Sequence, residues 1–210
     1  MKPENTNKLL DNENTRDFRR KGKIYTVPLR RKRQKRTNYK KRLKILMSNK
    51  ARLVVRKSLK NLQVSVIEYG IKGDRIVFTV NSSTLSKLGW KFDYGNTPSA
   101  YLTGLLAGKK AMEKGIKEAI LDLGFNTPSK GSRLYAALAG AIDAGLKVPF
   151  DKEVLPEKER ISGEHIVKYS NLLKNDKVKY DRQFSNYTKK GLNPGDLVKH
   201  FNEIKGKING

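Results

Sequence analysis

The 210-residue sequence predicts an α/β fold: a small mixed sheet in the order β-β-β-α-β-α, packed helices, a basic N-terminal extension and a helical C-terminal tail. Three observations carry that expectation. Three β-rich segments follow one another across short turns. Two segments with helical spacing, rich in small residues, flank a fourth apolar run. The first quarter of the chain is crowded with Lys and Arg, and the last sixty residues alternate weak helical patterns with polar stretches.

The elements follow in order. Residues 1–29 read as extended or disordered chain, with Gly22 and Pro28 breaking any helix. Thr37 can cap a helix over residues 38–47, because its hydroxyl can accept from an otherwise unpaired amide of the first turn. That helix has an apolar stripe of Tyr39, Leu43, Leu46 and Met47 and a basic side of Lys40, Lys41 and Lys44. A short stripe of this kind is expected to dock on its own domain. Residues 51–58, ARLVVRKS, have the β-branched centre of a strand. In residues 62–69 Leu62, Val64 and Val66 alternate with Gln63 and Ser65, the period of a half-buried strand. A GIKGD turn leads to residues 75–81, with Ile76, Phe78 and Val80 on one face, completing an antiparallel meander.

A loop holding the single Trp90 precedes Thr97 and Pro98, a suitable cap and first helical residue for the segment through residue 115. AILDLGF, residues 119–125, reads as a buried fourth strand. Ser132 opens a second helix ending at Gly145, and its Ala and Gly content predicts close packing on the sheet. Beyond Pro149, residues 155–163 read as loop, 164–175 as an amphipathic helix and 176–191 as irregular. Asn193 and Pro194 start a last helix with Leu197, Val198, Phe201 and Ile204 on one stripe. The expected division is therefore an extension over residues 1–49, a core domain over 50–148 and a C-terminal extension over 149–210, the last without a core of its own.

The charge is unevenly distributed. The chain carries 46 Lys and Arg against 20 Asp and Glu, a formal net charge of +26. From Phe18 to Ile67 there is no acid and there are nineteen basic residues, so that segment supplies +19 and the remainder only +7. A solvated face mixes signs, and a disordered tail lacks the Tyr25, Tyr39, Leu43 and Ile45 found here. The segment is thus read as an electrostatic footprint for nucleic acid. Its rival is a surface of anionic lipid, which would use bulky apolar residues along one face of a basic helix.

Several functions are excluded or find no support. With no cysteine there is no disulfide, thiolate metal site or cysteine nucleophile. His165 and His200 lack metal-ligand spacing. GLLAGKK at residues 104–110 has three residues between its glycines where a phosphate-binding loop needs four, and it lies within a helical pattern. Gly104 and Gly108 are better read as a packed helix face. Asp122 and Asp143 are read as a strand-edge contact and a helix surface position rather than an acid pair. No G-x-S-x-G elbow occurs. No apolar run approaches a membrane span, and the polar N-terminus lacks a signal peptide's core. The expectation is a soluble cytoplasmic protein that is not an enzyme and uses no cofactor, metal or small-molecule substrate.

Five separated blocks then bear on family. RRKRQKRTNYKKRLKIL, ARLVVRKS, NTPSAYLTGLLAGKKA, GSRLYAALAGAIDAGL and PEKERISGEHI stand in an order and spacing that resembles ribosomal protein eighteen of the large subunit in its archaeal form, related to the longer eukaryotic protein numbered five. The resemblance covers roughly residues 24–174. Where the family is expected to carry Thr-Asp-Tyr, this chain has Thr37-Asn38-Tyr39. The resemblance implies a structural constituent of the ribosome's central protuberance. It would bind 5S rRNA, help dock it on large-subunit rRNA and neighbour another 5S-binding ribosomal protein. Carried onto this chain, the RNA-contacting block is Arg30, Arg31, Lys32, Arg33, Lys35, Arg36, Tyr39, Lys40 and Arg42, with Arg52, Arg56 and Lys57 in the next block. The residues themselves add Lys44, Lys109 and Lys110 as phosphate ligands and Tyr25, Tyr39 and Trp90 as stacking candidates. The alternatives kept beside it are a non-ribosomal RNA-binding module and an RNA-modifying enzyme.

Overall fold

A computed structural model describes residues 26–210. The reading of the first 25 residues as extended chain, and Tyr25 as a stacking residue, lie outside the described part. The chain divides into two units, Met1–Tyr39 and Lys40–Gly210. In the first, the described residues hold a single short helix, α1 (Arg30–Arg33).

The second unit contains a mixed four-stranded sheet. Helix α2 (Tyr39–Leu46) leads into β1 (Ala51–Lys57), β2 (Leu62–Glu68) and β3 (Arg75–Asn81). These three form the expected meander, β1 with β2 and β2 with β3 antiparallel. After a 3-10 turn (Ser82–Leu88) come α3 (Thr97–Glu113) and β4 (Ala119–Asp122), which lies parallel to β1 at the opposite edge. The strand order is β3-β2-β1-β4. Alternation decides the two faces. Leu53, Val55, Leu62, Val64, Val66 and Val80 point into the core under the helices, while Arg52, Val54 and Arg56 point to the other side with Ser65 and Gln63 opposite them.

Helices α3 and α4 (Arg133–Asp143) cross at very short range, and their small residues explain why. A Cβ on Gly104 would fall 1.9 Å from the Ala137 carbonyl oxygen, and one on Gly140 would fall 2.1 Å from that of Tyr101. The glycines of residues 104–108 are therefore a packed face, as expected. The partner of the Ala/Gly-rich helix is principally α3, where close packing on the sheet was expected: only backbone-to-backbone helix contact requires glycine on both sides.

Three further expectations are corrected. The cap of α3 is Asn96, whose side chain accepts from Ser99 N at 2.9 Å, one residue before Thr97. Ile76 is 60% exposed because the β2–β3 register shifts between Val66 and Ile67, breaking the Ile76/Phe78/Val80 stripe. Helix α2 buries no residue, and Leu43 and Met47 of its apolar stripe are exposed. Its anchors include the polar side chains of Arg42 and Lys41.

The tail differs most from expectation. Residues 155–163 contain α5 (Lys158–Ser162), followed by α6 (Glu164–Leu172). Residues 176–191 form α7 (Lys177–Gln183) and α8 (Ser185–Lys189). The final helix is α9 (Leu197–Asn209). Phe184, Tyr187, Leu197, Phe201, Ile204 and Ile208 join the core of the second unit. The α5–α6 joint shows how tightly this region packs. Gly163 turns at φ +92°, and a Cβ there would meet Leu197 at 2.1 Å. The stripe on α9 was legible, but its landing surface on α3 was not. No helix among the described residues is long and apolar enough to cross a membrane.

Candidate nucleic-acid interface

Positive charge takes two physical forms in this protein. In the first unit, α1 consists of Arg30, Arg31, Lys32 and Arg33, all exposed, followed by exposed Lys35 and Arg36. Four like charges on one helical turn repel, and none of them complements the positive N-terminal end of the helix dipole. Local bonds hold the turn. Arg31 Nε donates to Thr37 Oγ1 at 2.8 Å, and Arg36 N donates to the Arg31 carbonyl at 2.9 Å. Lys35 makes the bend, at φ +52°. That left-handed conformation is costly for a residue with a Cβ. A short turn under such repulsion is best stabilised by an external polyanion.

In the second unit the arginines of β1 and α2 have acids of their own. Arg42 forks onto Asp74, Nη1 to Oδ2 at 2.8 Å and Nη2 to Oδ1 at 2.7 Å. Arg52, only 4% exposed, forms an ion pair with Asp74 at 2.6 Å and another with Asp122 at 3.4 Å. Arg56 donates to the carbonyls of Asp122 (2.7 Å) and Val55 (2.9 Å) and lies 3.4 Å from the Asp122 carboxylate. Asp122 Oδ1 also accepts from Gly124 N at 2.8 Å. The Arg42 hydrogen bonds hold the Asp74 carboxyl at a pKa of about 2, against burial and with help from Arg52. Beside this network Lys50 pairs with Glu118 at 2.6 Å. Lys41 Nζ donates to the Gly124 carbonyl at 3.4 Å.

The sequence-predicted residues therefore fall into groups. Arg30, Arg31, Lys32, Arg33, Lys35 and Arg36 are exposed in the first unit, where Tyr39 is half-exposed. Lys40, Lys44 and Lys57 are exposed in the second. Arg42, Arg52 and Arg56 are bound into the acid network. Arg52, expected as an RNA ligand, is corrected to an internal partner, because burial leaves its guanidinium no route to a phosphate. Lys109 is half-buried and donates to the Asn209 carbonyl at 2.8 Å, tying α3 to the end of α9, and Lys110 is half-buried beside it. Trp90 is corrected as well. It is 2% exposed, its indole N–H donates to the Asp93 carbonyl, and His200 stacks on it at 5.5 Å. No ring face remains for a base.

Sequence reasoning missed Asp74. A signal existed: it is one of the first acids to follow the acid-free run, set in a turn that folds back beside it. Asp122 and Asp143, read as separate polar positions, have separate partners. Asp122 serves the arginines, while Asp143 accepts from the Tyr101 hydroxyl at 2.6 Å. That contact and burial raise the Tyr101 pKa well above its ordinary value, burial being the larger cause. Among the described residues no group of three or more His, Asp and Glu could hold a metal ion.

The family model described as ribosomal large subunit proteins 60S L5, and 50S L18 matches residues 23–118. Those residues, a little under half of the chain, are similar to this ribosomal protein family. The matched stretch contains α1, α2, the three-stranded meander and α3, and so both basic groups described above. Residues 119–174, where the sequence blocks also resemble the family, lie beyond it. Within the matched segment the exposed basic turn comes first, and the arginines held by acids follow on the sheet.

Proposed function

We propose that the protein is a structural constituent of the large ribosomal subunit, where it binds 5S rRNA and helps attach it to large-subunit rRNA in the central protuberance. The observation that carries this reading is the exposed, all-basic turn Arg30–Arg33 with Lys35 and Arg36, inside the stretch matched by the ribosomal family. Lys and Arg at such a turn neutralise phosphates and release condensed counterions, the term that dominates affinity without base reading. Arginine adds a planar fork that can take two phosphate oxygens or stack on a base. The deep, narrow major groove of A-form RNA resists side-chain readout, so a chain of charges following the backbone suits an irregular rRNA surface. Exposed Lys40, Lys44 and Lys57 extend the contacts in the second unit. The role is non-catalytic, the setting is the cytoplasmic ribosome, and a second 5S-binding ribosomal protein is the expected neighbour.

Sedimentation of native lysate through a sucrose gradient at low salt tests the reading. The protein is expected with the large subunit, and with 5S rRNA once the subunit is dissociated. Recovery at the top of the gradient would overturn it and favour a non-ribosomal RNA-binding module.

A further inference from the structure

Two cavities adjoin in the second unit. The first, about 460 Å³, is walled by the rings of Tyr169, Phe184 and Tyr187, with Asp93, His165 and Asn186 among its polar lining. Its aromatic wall is continuous: Tyr169 and Phe184 have centroids 6.3 Å apart, and Phe184 and Tyr187 stack at 5.8 Å. Tyr169 is 45% exposed. The second cavity, about 480 Å³, is lined by Lys60, Lys190, Tyr94 and Asn96, and shares Asp93 and Asn186 with the first. The shared residues make the two one trough with an aromatic end and a cationic end.

One buried polar atom in the aromatic chamber is unexplained by the fold. His165 Nδ1 is buried without a hydrogen-bond partner, and buried polar groups in native proteins normally have one. Burial, with Arg160 nearby, lowers the His165 pKa, so the ring is neutral and can donate or accept. Burial and the Asp93 charge push the Tyr187 phenol up to about 12, so it remains protonated beside the carboxylate.

We propose that this trough takes an unpaired guanine nucleotide, with the base against Tyr169, its N1–H and N2–H on the Asp93 carboxylate, and its phosphate between Lys60 and Lys190. Aromatic rings stack on any base. A carboxylate discriminates, because guanine presents two adjacent N–H donors along one edge and adenine, cytosine and uracil do not. An aromatic side chain of a partner protein would fill the first chamber only, leaving both lysines without complement. The inference rests on the RNA-binding reading but uses no residue of the Arg30–Arg36 turn, so the two can fail separately.

The test is a ¹⁵N NMR titration of the full chain with 5′-GMP, AMP, CMP and UMP to about 20 mM. GMP is expected to shift amides around Tyr169 and Asn186 with a Kd on the order of 1 mM. The other nucleotides should bind at least about tenfold more weakly. Tyr169→Ala, at a half-exposed position that the fold tolerates, should weaken GMP about tenfold through lost stacking. Asp93→Asn should erase the preference for guanine. Lys190→Ala should weaken GMP while leaving guanosine unchanged. GMP binding should persist in a chain whose turn arginines are replaced. The proposal is overturned if GMP causes no shifts, if all four nucleotides bind alike, if binding vanishes with the turn arginines, or if N-acetyl-phenylalanine amide binds more tightly than GMP.

Discussion

Arg33 and Arg52 belong to the same acid-free run, yet they meet opposite conditions. Among the described residues, the exposed arginines of α1 find a threonine hydroxyl as their side-chain partner, at Arg31. Those of α2 and β1 are gripped by Asp74 and Asp122, which lie 32 to 70 residues further along the chain. The difference is one of folding rather than composition. The β2–β3 turn brings Asp74 back over β1, and the parallel pairing of β4 with β1 places Asp122 level with Val54. Two acids thereby convert part of a polyanion-binding sequence into a structural element. A buried arginine must be paired or it is strongly destabilising, whereas an exposed one is stabilised only when its partner arrives. Charge density along a sequence thus marks a basic region, but not which of its residues the fold leaves exposed.

The largest expected effect separates the two regions. Replacing Arg30, Arg31, Arg33 and Arg36 together by Gln should lower 5S RNA affinity by about two to three orders of magnitude near ~0.1 M salt, and reduce the log–log salt slope by about 3. The thermal midpoint should hold or rise slightly, since like-charge repulsion in the turn is relieved. Filter binding over a salt series, with a melting curve on the same preparations, checks both. An unchanged slope would show that the turn does not contact phosphate.

The reverse signature belongs to Asp74. Asp74→Ala leaves Arg52 buried with only the longer Asp122 contact, and should cost about 3 kcal/mol in urea unfolding. Its RNA affinity, measured where the variant is still folded, should change little. A smaller step is Arg56→Gln, which gives up the bond to the Asp122 carbonyl from a side chain 43% exposed. About 1 kcal/mol is expected there. If Arg56→Gln instead weakened RNA binding as much as a turn arginine, the division between the two regions would collapse.

What could be read from the sequence, and what could not, follows the same line. The strands and α3 were legible because their periods are local, and Gly104 and Gly108 were legible as a packed face because they recur at helical spacing. Everything that depended on a distant partner was misplaced. Trp90 resembled a loop aromatic until α9 brought His200 onto it. Ile76 belonged to a good alternating pattern that one register shift in β2 rotated outward. The Leu197, Phe201 and Ile204 stripe was visible, but nothing near it in sequence indicated that Tyr101 would be waiting, 5.6 Å from Phe201. The exposed turn was legible since it needs no tertiary partner, and the burial of Arg52 was not, since it depends on two.

The smallest effect is also the most specific. Asp74 has an ordinary pKa of 3.8 and is held at about 2 in the fold, first by its hydrogen bonds from Arg42 and then by Arg52. A folded-state pKa below the unfolded one means that the unfolded chain takes up the proton first. The contribution to stability is therefore complete above pH 3.8 and is lost as the pH falls through about 2. Urea midpoints should decline across that window in the wild-type chain and decline less in Asp74→Asn, which cannot titrate. Glu118, Glu159 and Asp176 are also lowered, each chiefly by a lysine, but they are exposed, and added salt screens such pairs. At high salt the difference between wild type and Asp74→Asn should persist because the Arg52 side of the pair is buried. A difference abolished by salt would mean that the Asp74 network behaves like the surface pairs, and that the sheet arginines are less distinct from the turn than their geometry implies.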